Sequence, residues 1–139
     1  MAAADDARTA SDQFYAALKR MVNGDASSMA EIWSQSATVT TMHPIGGREV
    51  GWEEVRGAWE QVADVFTAGT VGLNDQLLET AGDMAYEVGI ERGLATLGGR
   101  DIRIEHRVTN VYRREADGWK IVHHHTDVAP EMVELLKSL

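Results

Sequence analysis

Three adjacent histidines, His123-His124-His125, form the run of the chain with the most evident chemical potential. Histidine binds metals and, with an unperturbed pKa near ~6.5, also transfers protons at neutral pH. Side chains of a strand alternate between the two faces of a sheet, so the middle ring points one way and its neighbours the other. Three such rings cannot share one metal site, whereas two histidines with a carboxylate could. The sequence therefore predicts no metal centre and keeps a two-histidine site as the alternative.

These histidines lie in a predicted hairpin over residues 103–126, around the turn-rich stretch Glu115-Ala116-Asp117-Gly118. A four-residue loop there pairs Arg114 with Trp119, Tyr112 with Ile121, Val111 with Val122, Thr109 with His124 and Arg107 with Thr126. One face then carries Val108, Asn110, Tyr112, Trp119, Ile121, His123 and His125. The other carries Arg107, Thr109, Val111, Val122, His124 and Thr126. A one-residue bulge would change the partners and move His123 and His125 across.

Length and composition limit the classes of function. The 139 residues fit a single domain, 1–139, that is long enough for a hydrophobic core. The net charge of −9 disfavours nucleic acids and anionic membrane surfaces as partners. There is no cysteine for a disulfide or a thiolate. The N-terminus lacks a secretory pattern, and no apolar run approaches the about 18 residues of a membrane helix. We therefore expect a cytoplasmic protein.

Hydrophobic spacing predicts three helices in the first half of the chain. Residues 6–23 form an amphipathic helix ended by Gly24. A short second helix follows, with Ser28 and Glu31 as its capping box. Residues 37–43 form a strand that Pro44 and a Gly46-Gly47 turn stop. Residues 51–66 form the third helix.

Strands dominate after Gly69. Residues 71–78 and 84–97 form two strands, and the second places small residues together with two acids, Glu87 and Glu91, on one face. The hairpin follows, and Pro130 begins a short terminal helix. Helices followed by an antiparallel meander predict an α+β fold with the helices on one face of the sheet.

This order of elements resembles the nuclear transport factor 2-like superfamily, in its SnoaL-like and ketosteroid isomerase-like branch. The matching segments are Asn23-Gly24-Asp25, residues 32–39, His43-Pro44-Ile45-Gly46, residues 51–59 and residues 107–126. Residues 119–125 also resemble the association domain of calcium/calmodulin-dependent kinase. The resemblance implies a cone, in which a curved antiparallel sheet wraps around a long helix, as in cystatin-like folds. It further implies a ligand pocket at the open end and a homodimer through the convex face.

The resemblance also implies the residues of a site. His43 stands where the isomerases have the aspartate that acts as general base. Glu91 stands where the kinase association domain has a basic pocket residue, and an acid there implies a pair with Arg107, which would bind a substrate oxyanion. Trp33 and Trp59 match aromatic residues of the pocket wall. The matching concave face adds further substrate-binding residues, namely Thr109, His124 and Thr126.

The chain departs from the isomerases at the oxyanion site. Arg107 replaces one of their acids, and their tyrosine on the first helix would fall near Ala17, whereas Tyr15 lies on a different helical face. Steroid isomerisation by their mechanism is therefore not expected. Three structural alternatives stay open: an ion pair of Arg107 with Glu91 that only closes the cone, a hydrogen-bonded His43 at the pocket mouth, and tryptophans that are core residues.

Two classes of function follow. The first is a cofactor-independent enzyme that transfers protons on a small uncharged or anionic molecule, as an isomerase, cyclase, dehydratase or hydrolase. The second is a non-catalytic ligand-binding or oligomerisation module. Convergence of His43, Glu91, Arg107 and His124 favours the enzyme. For assembly, we expect a homodimer through large side chains on the convex face, namely Trp119, Ile121 and Tyr112, with His123 and His125.

Overall fold

The structure, a computed structural model, describes residues 3–139. Met1 and Ala2, which begin the predicted domain and the segment without a secretory pattern, lie outside the described residues. The described chain forms four helices and six strands. In order they are α1 Ala7–Met21, α2 Met29–Ile32, β1 Thr40–His43, β2 Gly46–Val50, α3 Trp52–Val65, β3 Phe66–Ala81, β4 Met84–Leu97, β5 Arg100–Glu115, β6 Gly118–Thr126 and α4 Pro130–Lys137.

Helix α1 forms because a capped start precedes a regular apolar stripe. The Asp6 carboxylate accepts a hydrogen bond from the Thr9 backbone N–H at 2.8 Å, which satisfies one of the free donors at the helix start. Gly24, at φ +92°, ends the segment in a conformation that costs glycine little. The buried stripe faces the sheet, with Ala7, Ala10, Phe14, Ala17, Leu18 and Met21.

Two local predictions before α3 are wrong. Ser28 has helical backbone angles and makes no capping hydrogen bond through its side chain, because a capping residue needs an extended backbone. Gly46 and Gly47 do not form the turn but begin strand β2, both with positive φ. The turn consists of Pro44 and Ile45, and β2 pairs antiparallel with β1.

The six strands form one curved, mixed sheet in the order β2-β1-β6-β5-β4-β3. Neighbouring strands are antiparallel except for β1 and β6, which run parallel. The buried stripe of α1 packs on the inner face of the sheet, defined as the face towards the helices, and α3 packs beside it. Close approach of β3 to β4 requires glycine at Gly93, where a Cβ atom would meet the Thr70 carbonyl oxygen at 1.9 Å. The predicted α+β fold is confirmed.

A bulge in β6 determines which side chains enter the core. Tyr112 pairs with Ile121 as predicted, but Val111 pairs with His123, so Val122 is an extra residue. Beyond it the predicted partners are wrong by one residue: Asn110 faces His124, and Val108 faces Thr126. The loop is also shorter than predicted, since Glu115 and Gly118 already pair across a turn of two residues.

Because of the bulge, odd-numbered side chains before Val122 and even-numbered side chains after it point to the inner face. Trp119 and Ile121 are buried in the core before it, and His124 and Thr126 are buried after it. On β5 the inner positions are the even-numbered ones, with Tyr112 fully buried. The predicted convex interface of Trp119, Ile121 and Tyr112 is therefore wrong, because these side chains pack beneath the helices. His123 and His125 do lie on the outer face.

Within residues 3–139, no helix combines the length and apolar character needed to cross a membrane. The cytoplasmic location and the absence of nucleic-acid partners stay predictions.

Trp119→Ala should destabilise the fold rather than an interface, because the ring is only 7% exposed within the core. We expect a loss of about 3–5 kcal/mol in the free energy of unfolding, measured by urea denaturation. Leu94→Ala is the matched control, since Leu94 is 67% exposed and should change stability by less than about 0.5 kcal/mol. Equal losses in the two variants would contradict this placement.

Candidate functional site

A small cavity lies between the inner face of the sheet and helices α1, α3 and α4. Its wall is mostly apolar, with Leu18, Val62 and Met132 among the contributors. Its volume is about 40 Å³, which is room for a few water molecules. The polar side chains that line it are His43, Glu91, His106 and His124. Among residues 3–139, no lysine or arginine lines the cavity.

Glu91 is the acid of this cavity, as predicted, but its partners differ from the prediction. Its side chain is 3% exposed and accepts hydrogen bonds from Tyr15 Oη at 2.9 Å and from His106 Nε2 at 2.8 Å. Burial, and then the charge of Glu91, raise the pKa of Tyr15, which keeps the phenol protonated as a donor. A buried carboxylate is tolerated because donors of this kind replace its lost hydration.

Arg107 lies outside the cavity, so its predicted pairing with Glu91 is wrong. Its side chain is 80% exposed, and Nε and Nη2 donate to the two oxygens of Asp127 at 2.8 and 2.9 Å. The side-chain and backbone donors of Arg107 lower the pKa of Asp127 to about 2. Odd-numbered residues of β5 face outward, so Thr109 also lies on the outer face, paired with His125. The inner neighbour His106 takes the place predicted for Arg107.

His43 lines the cavity with a neutral imidazole. Its ring packs edge-on against Trp59, with centroids 4.5 Å apart, and lies 5.9 Å from the ring of His124. Burial lowers the pKa of His43 to about 4. Its Nε2 atom is buried without a hydrogen-bond partner, and the nearest carboxylate oxygen, Glu49 Oε1, is 3.8 Å away. Thr41 Oγ1 already donates to that oxygen at 2.7 Å.

The three consecutive histidines divide between the two faces as the alternation predicts. His124 is buried and its Nδ1 is 2.7 Å from Asn110 Oδ1, while burial, followed by nearby histidines, lowers its pKa well below the usual value. On the outer face, His123 contacts Thr40 Oγ1 at 2.6 Å, and the rings of His123 and His125 are 5.8 Å apart. Within the described residues, no three His, Asp or Glu side chains gather as a metal site.

The remaining predicted residues lie in or behind the cavity wall. Trp59 lines the cavity, and Trp33 lies behind it as a core residue, with ring centroids 6.3 Å apart. Thr126 is buried on the inner face. The Nε1 atoms of both tryptophans and Oγ1 of Thr126 have no hydrogen-bond partner. Buried polar atoms without a hydrogen-bond partner are rare in folded proteins and require an explanation.

A second buried carboxylate, Glu87, was not assigned to any site by the sequence reasoning. It is fully buried and accepts hydrogen bonds from four side chains. These are Ser11 Oγ at 2.5 Å, Gln76 Nε2 at 2.6 Å, Tyr112 Oη at 2.6 Å and Asn110 Nδ2 at 3.0 Å. The signal in the sequence was the pair of acids on the small face of β4. The donors lie 11 to 76 positions away in the chain, so the local spacing of residues did not predict them.

A family model described as a SnoaL-like domain matches residues 7–130. The chain belongs to this SnoaL-like family. The predicted resemblance is thereby confirmed, and Tyr15, His43, Glu91 and His124 all fall within the matched segment. No protein among the curated sequences matches the chain significantly.

Solved structures share the fold of this SnoaL-like domain at low sequence identity. A proposed calcium/calmodulin-dependent protein kinase type II association domain from Thiobacillus denitrificans has a TM-score of 0.75 at 24% identity, covering 93% of this chain and 99% of its own. A proposed dehydratase of the nuclear transport factor 2-like family from Streptomyces avermitilis has a TM-score of 0.74 at 24% identity, covering 87% and 92%. A proposed ketosteroid isomerase from Shewanella frigidimarina has a TM-score of 0.68 at 20% identity, covering 85% and 91%.

The depressed pKa of His43 predicts a specific dependence of stability on pH. The unfolded chain, with a histidine pKa near ~6.5, binds the proton before the folded chain, whose His43 has a pKa of about 4. The stability that neutral His43 contributes is therefore fully present above the unfolded-state pKa and is lost as the pH falls towards 4. Integration gives about 3 kcal/mol for this residue.

His43→Phe should remove this contribution, because phenylalanine keeps a ring beside Trp59 and does not titrate. Between about pH 7 and pH 4, the wild type should lose about 3 kcal/mol more unfolding free energy than the variant does. Denaturation curves at a series of pH values measure it. His125→Gln, at an exposed outer position, is the control and should follow the wild type. Parallel profiles for wild type and His43→Phe would contradict the burial of His43.

Proposed function

We propose that this SnoaL-like domain is a cofactor-independent enzyme that transfers protons on a small, uncharged, mainly apolar molecule bound in the cavity. One observation carries the proposal: a buried carboxylate, Glu91, and a neutral imidazole, His43, line the same apolar cavity. Proton-transfer catalysis needs an acceptor and a donor near the reacting atoms, in a site that excludes water. We assign the transfer to these two residues.

Glu91 is the stronger candidate for the base. Each carboxylate oxygen has two lone pairs, and Tyr15 and His106 occupy one on each oxygen. The remaining lone pairs are free to accept a proton from a substrate C–H or O–H group. When Glu91 takes that proton it loses its charge, which weakens the hydrogen bonds from Tyr15 and His106, and a developing negative charge on the substrate then competes for the two donors.

His43 fits the role of the partner that receives or returns a proton. With a pKa of about 4 it is neutral and is a weak base. Catalysis is most efficient when the pKa lies near the working pH. A substrate group that becomes negative near the ring would favour the imidazolium and raise this pKa. Trp59 and His124 complete the substrate contacts in this assignment, and Thr126 supports the wall.

The charge of the cavity supports an uncharged rather than an anionic substrate. Glu91 lines it, and no lysine or arginine among the described residues does so. A substrate carboxylate would be repelled by Glu91 without a compensating cation. A molecule larger than a few waters requires the lining side chains to move, and Met21 and Met132 are flexible enough to adapt. Isomerisation and dehydration next to a carbonyl group both meet these conditions.

Proton abstraction can be tested without the natural substrate. In D2O, the wild type should exchange the α-protons of small neutral ketones, or isomerise or dehydrate hydroxyketones, faster than buffer, as followed by NMR. Glu91→Gln and His43→Gln should each lower the rate by about 10²–10⁴, the usual contribution of a general acid or base. Glu105→Gln, an exposed change beside His106, is the matched control and should retain the wild-type rate.

Two outcomes would contradict the enzyme proposal. One is exchange by the wild type that is no faster than buffer for any compound of the panel. The other is an undiminished rate in Glu91→Gln.

A second candidate function is assembly, because apolar side chains cover part of the outer face. Tyr86, Val88 and Leu77 are 48%, 37% and 50% exposed, and cross-strand pairing joins them to Val111 and Thr109. Met84 on β4 and the two histidines His123 and His125 on β6 extend the same outer face. Contiguous exposed apolar surface is typical of interfaces. The likeness to a kinase association domain supports a homodimer through this outer patch.

Tyr86→Glu should disrupt this homodimer, because it places a charge within a desolvated interface. Sedimentation at micromolar concentration should show a dimer for the wild type and a monomer, or an affinity lower by at least about tenfold, for the variant. Glu53→Lys, on the exposed side of α3, is the control. A wild type that is monomeric under these conditions would contradict assembly.

A further inference from the structure

Asn110 connects the two buried carboxylates to His124. It lies on the inner face of β5 and is fully buried. Its Nδ2 atom donates to Glu87 Oε1 at 3.0 Å and to Tyr15 Oη at 2.9 Å. Its Oδ1 atom lies 2.7 Å from His124 Nδ1. Both N–H donors of this amide and one lone pair of its oxygen are therefore used, by Glu87, Tyr15 and His124.

Glu87 determines which way the amide points. A carboxylate accepts hydrogen bonds and does not donate them. Ser11, Gln76 and Tyr112 also donate to Glu87, which therefore acts as an acceptor. The amide accordingly turns its NH2 group towards Glu87 and its oxygen towards His124. The Tyr15 hydroxyl agrees with this orientation, since it donates its proton to Glu91 and accepts from Asn110.

The orientation of the amide in turn determines the tautomer of His124. An amide oxygen only accepts, so Nδ1 of His124 must carry a proton. Burial keeps this imidazole neutral, as its strongly lowered pKa indicates. A neutral ring with a proton on Nδ1 has a free lone pair on Nε2. The ring lines the cavity among Phe14, His43 and Trp59.

We propose that Asn110, oriented by Glu87, is a positioning residue that holds His124 as the Nδ1–H tautomer, so that Nε2 accepts a hydrogen bond from the molecule in the cavity. The inference rests on the proposed function for its role in turnover and deepens it. It predicts that hydroxyketones bind better than simple ketones, because only a hydroxyl or N–H group donates a hydrogen bond to Nε2. Glu91 favours the same substrates, since a free carboxylate lone pair also seeks a donor.

The tautomer can be read directly, without any substrate. Long-range ¹H–¹⁵N NMR of the histidine-labelled protein distinguishes a protonated ring nitrogen from one with a lone pair. His124→Gln identifies the signals of this ring. In the wild type we expect a protonated Nδ1 and an unprotonated Nε2. The opposite pattern would overturn the proposal, and this result depends on no other variant.

Two variants test the mechanism of positioning. Asn110→Ala removes the acceptor at Nδ1, so the two ¹⁵N signals of His124 should move towards each other as both tautomers become populated. Glu87→Gln gives Asn110 Oδ1 an alternative donor, which allows the amide to turn and should have the same effect. Asn74→Ala, an exposed change on β3, is the matched control and should leave both signals in place. An unchanged Nδ1–H pattern in a folded Asn110→Ala protein would overturn the role of Asn110.

The outcome is independent of the proton-transfer assay. A wild type that shows the Nδ1–H tautomer but no exchange activity would refute the enzyme and keep the positioning by Asn110. Activity together with an Nε2–H tautomer would refute the positioning and keep the enzyme.

Discussion

Two carboxylates on one strand determine what the rest of the interior must provide. Glu87 and Glu91 both point from β4 to the inner face of the sheet and are almost fully buried. A buried carboxylate without partners costs several kcal/mol, so each oxygen must meet a donor. Helix α1 and strand β5 supply most of them, so hydrogen bonds as well as apolar packing connect α1 to the sheet. The donors from these two elements are Ser11, Tyr15, His106, Asn110 and Tyr112.

The two carboxylates differ in how completely their oxygens are hydrogen-bonded, and this difference supports the assignment of Glu91 rather than Glu87 to the proposed site. Glu87 receives four hydrogen bonds and has no capacity left for a ligand. Glu91 receives one on each oxygen and lines the cavity. Buried polar atoms without partners occur in the same region, on His43 and Trp59. Stability alone favours complete pairing, so the incomplete pairing around this cavity is the reason that we propose it, rather than the surroundings of Glu87, as the binding site.

The sequence predicted the four helices and five of the six strands of the described chain, and the buried stripes of α1 and α3, because those depend on local periodicity, but it missed β2. The family resemblance predicted His43, Trp59, Glu91 and His124 in a pocket, and all four line the cavity. The hairpin could not be predicted to the same accuracy, because one extra residue at Val122 changes the faces along the strand. Regular alternation, combined with the family resemblance, placed Trp119 outside and Arg107 inside, and both placements are reversed. The partners of Glu87 were also beyond prediction, since Ser11 and Glu87 meet across 76 positions of the chain.

Alternation along the strands also keeps the two candidate functions physically separate. On β4, Glu87 and Glu91 face the cavity side, while Tyr86 and Val88 face outward. A substitution at an outer position changes the surface offered to a second copy without adding or removing a group from the interior, and the reverse holds for an inner position. One curved sheet can therefore evolve a binding cavity and an assembly surface independently. The shared backbone arrangement of the similar solved structures therefore does not by itself decide between the two candidate functions of this chain.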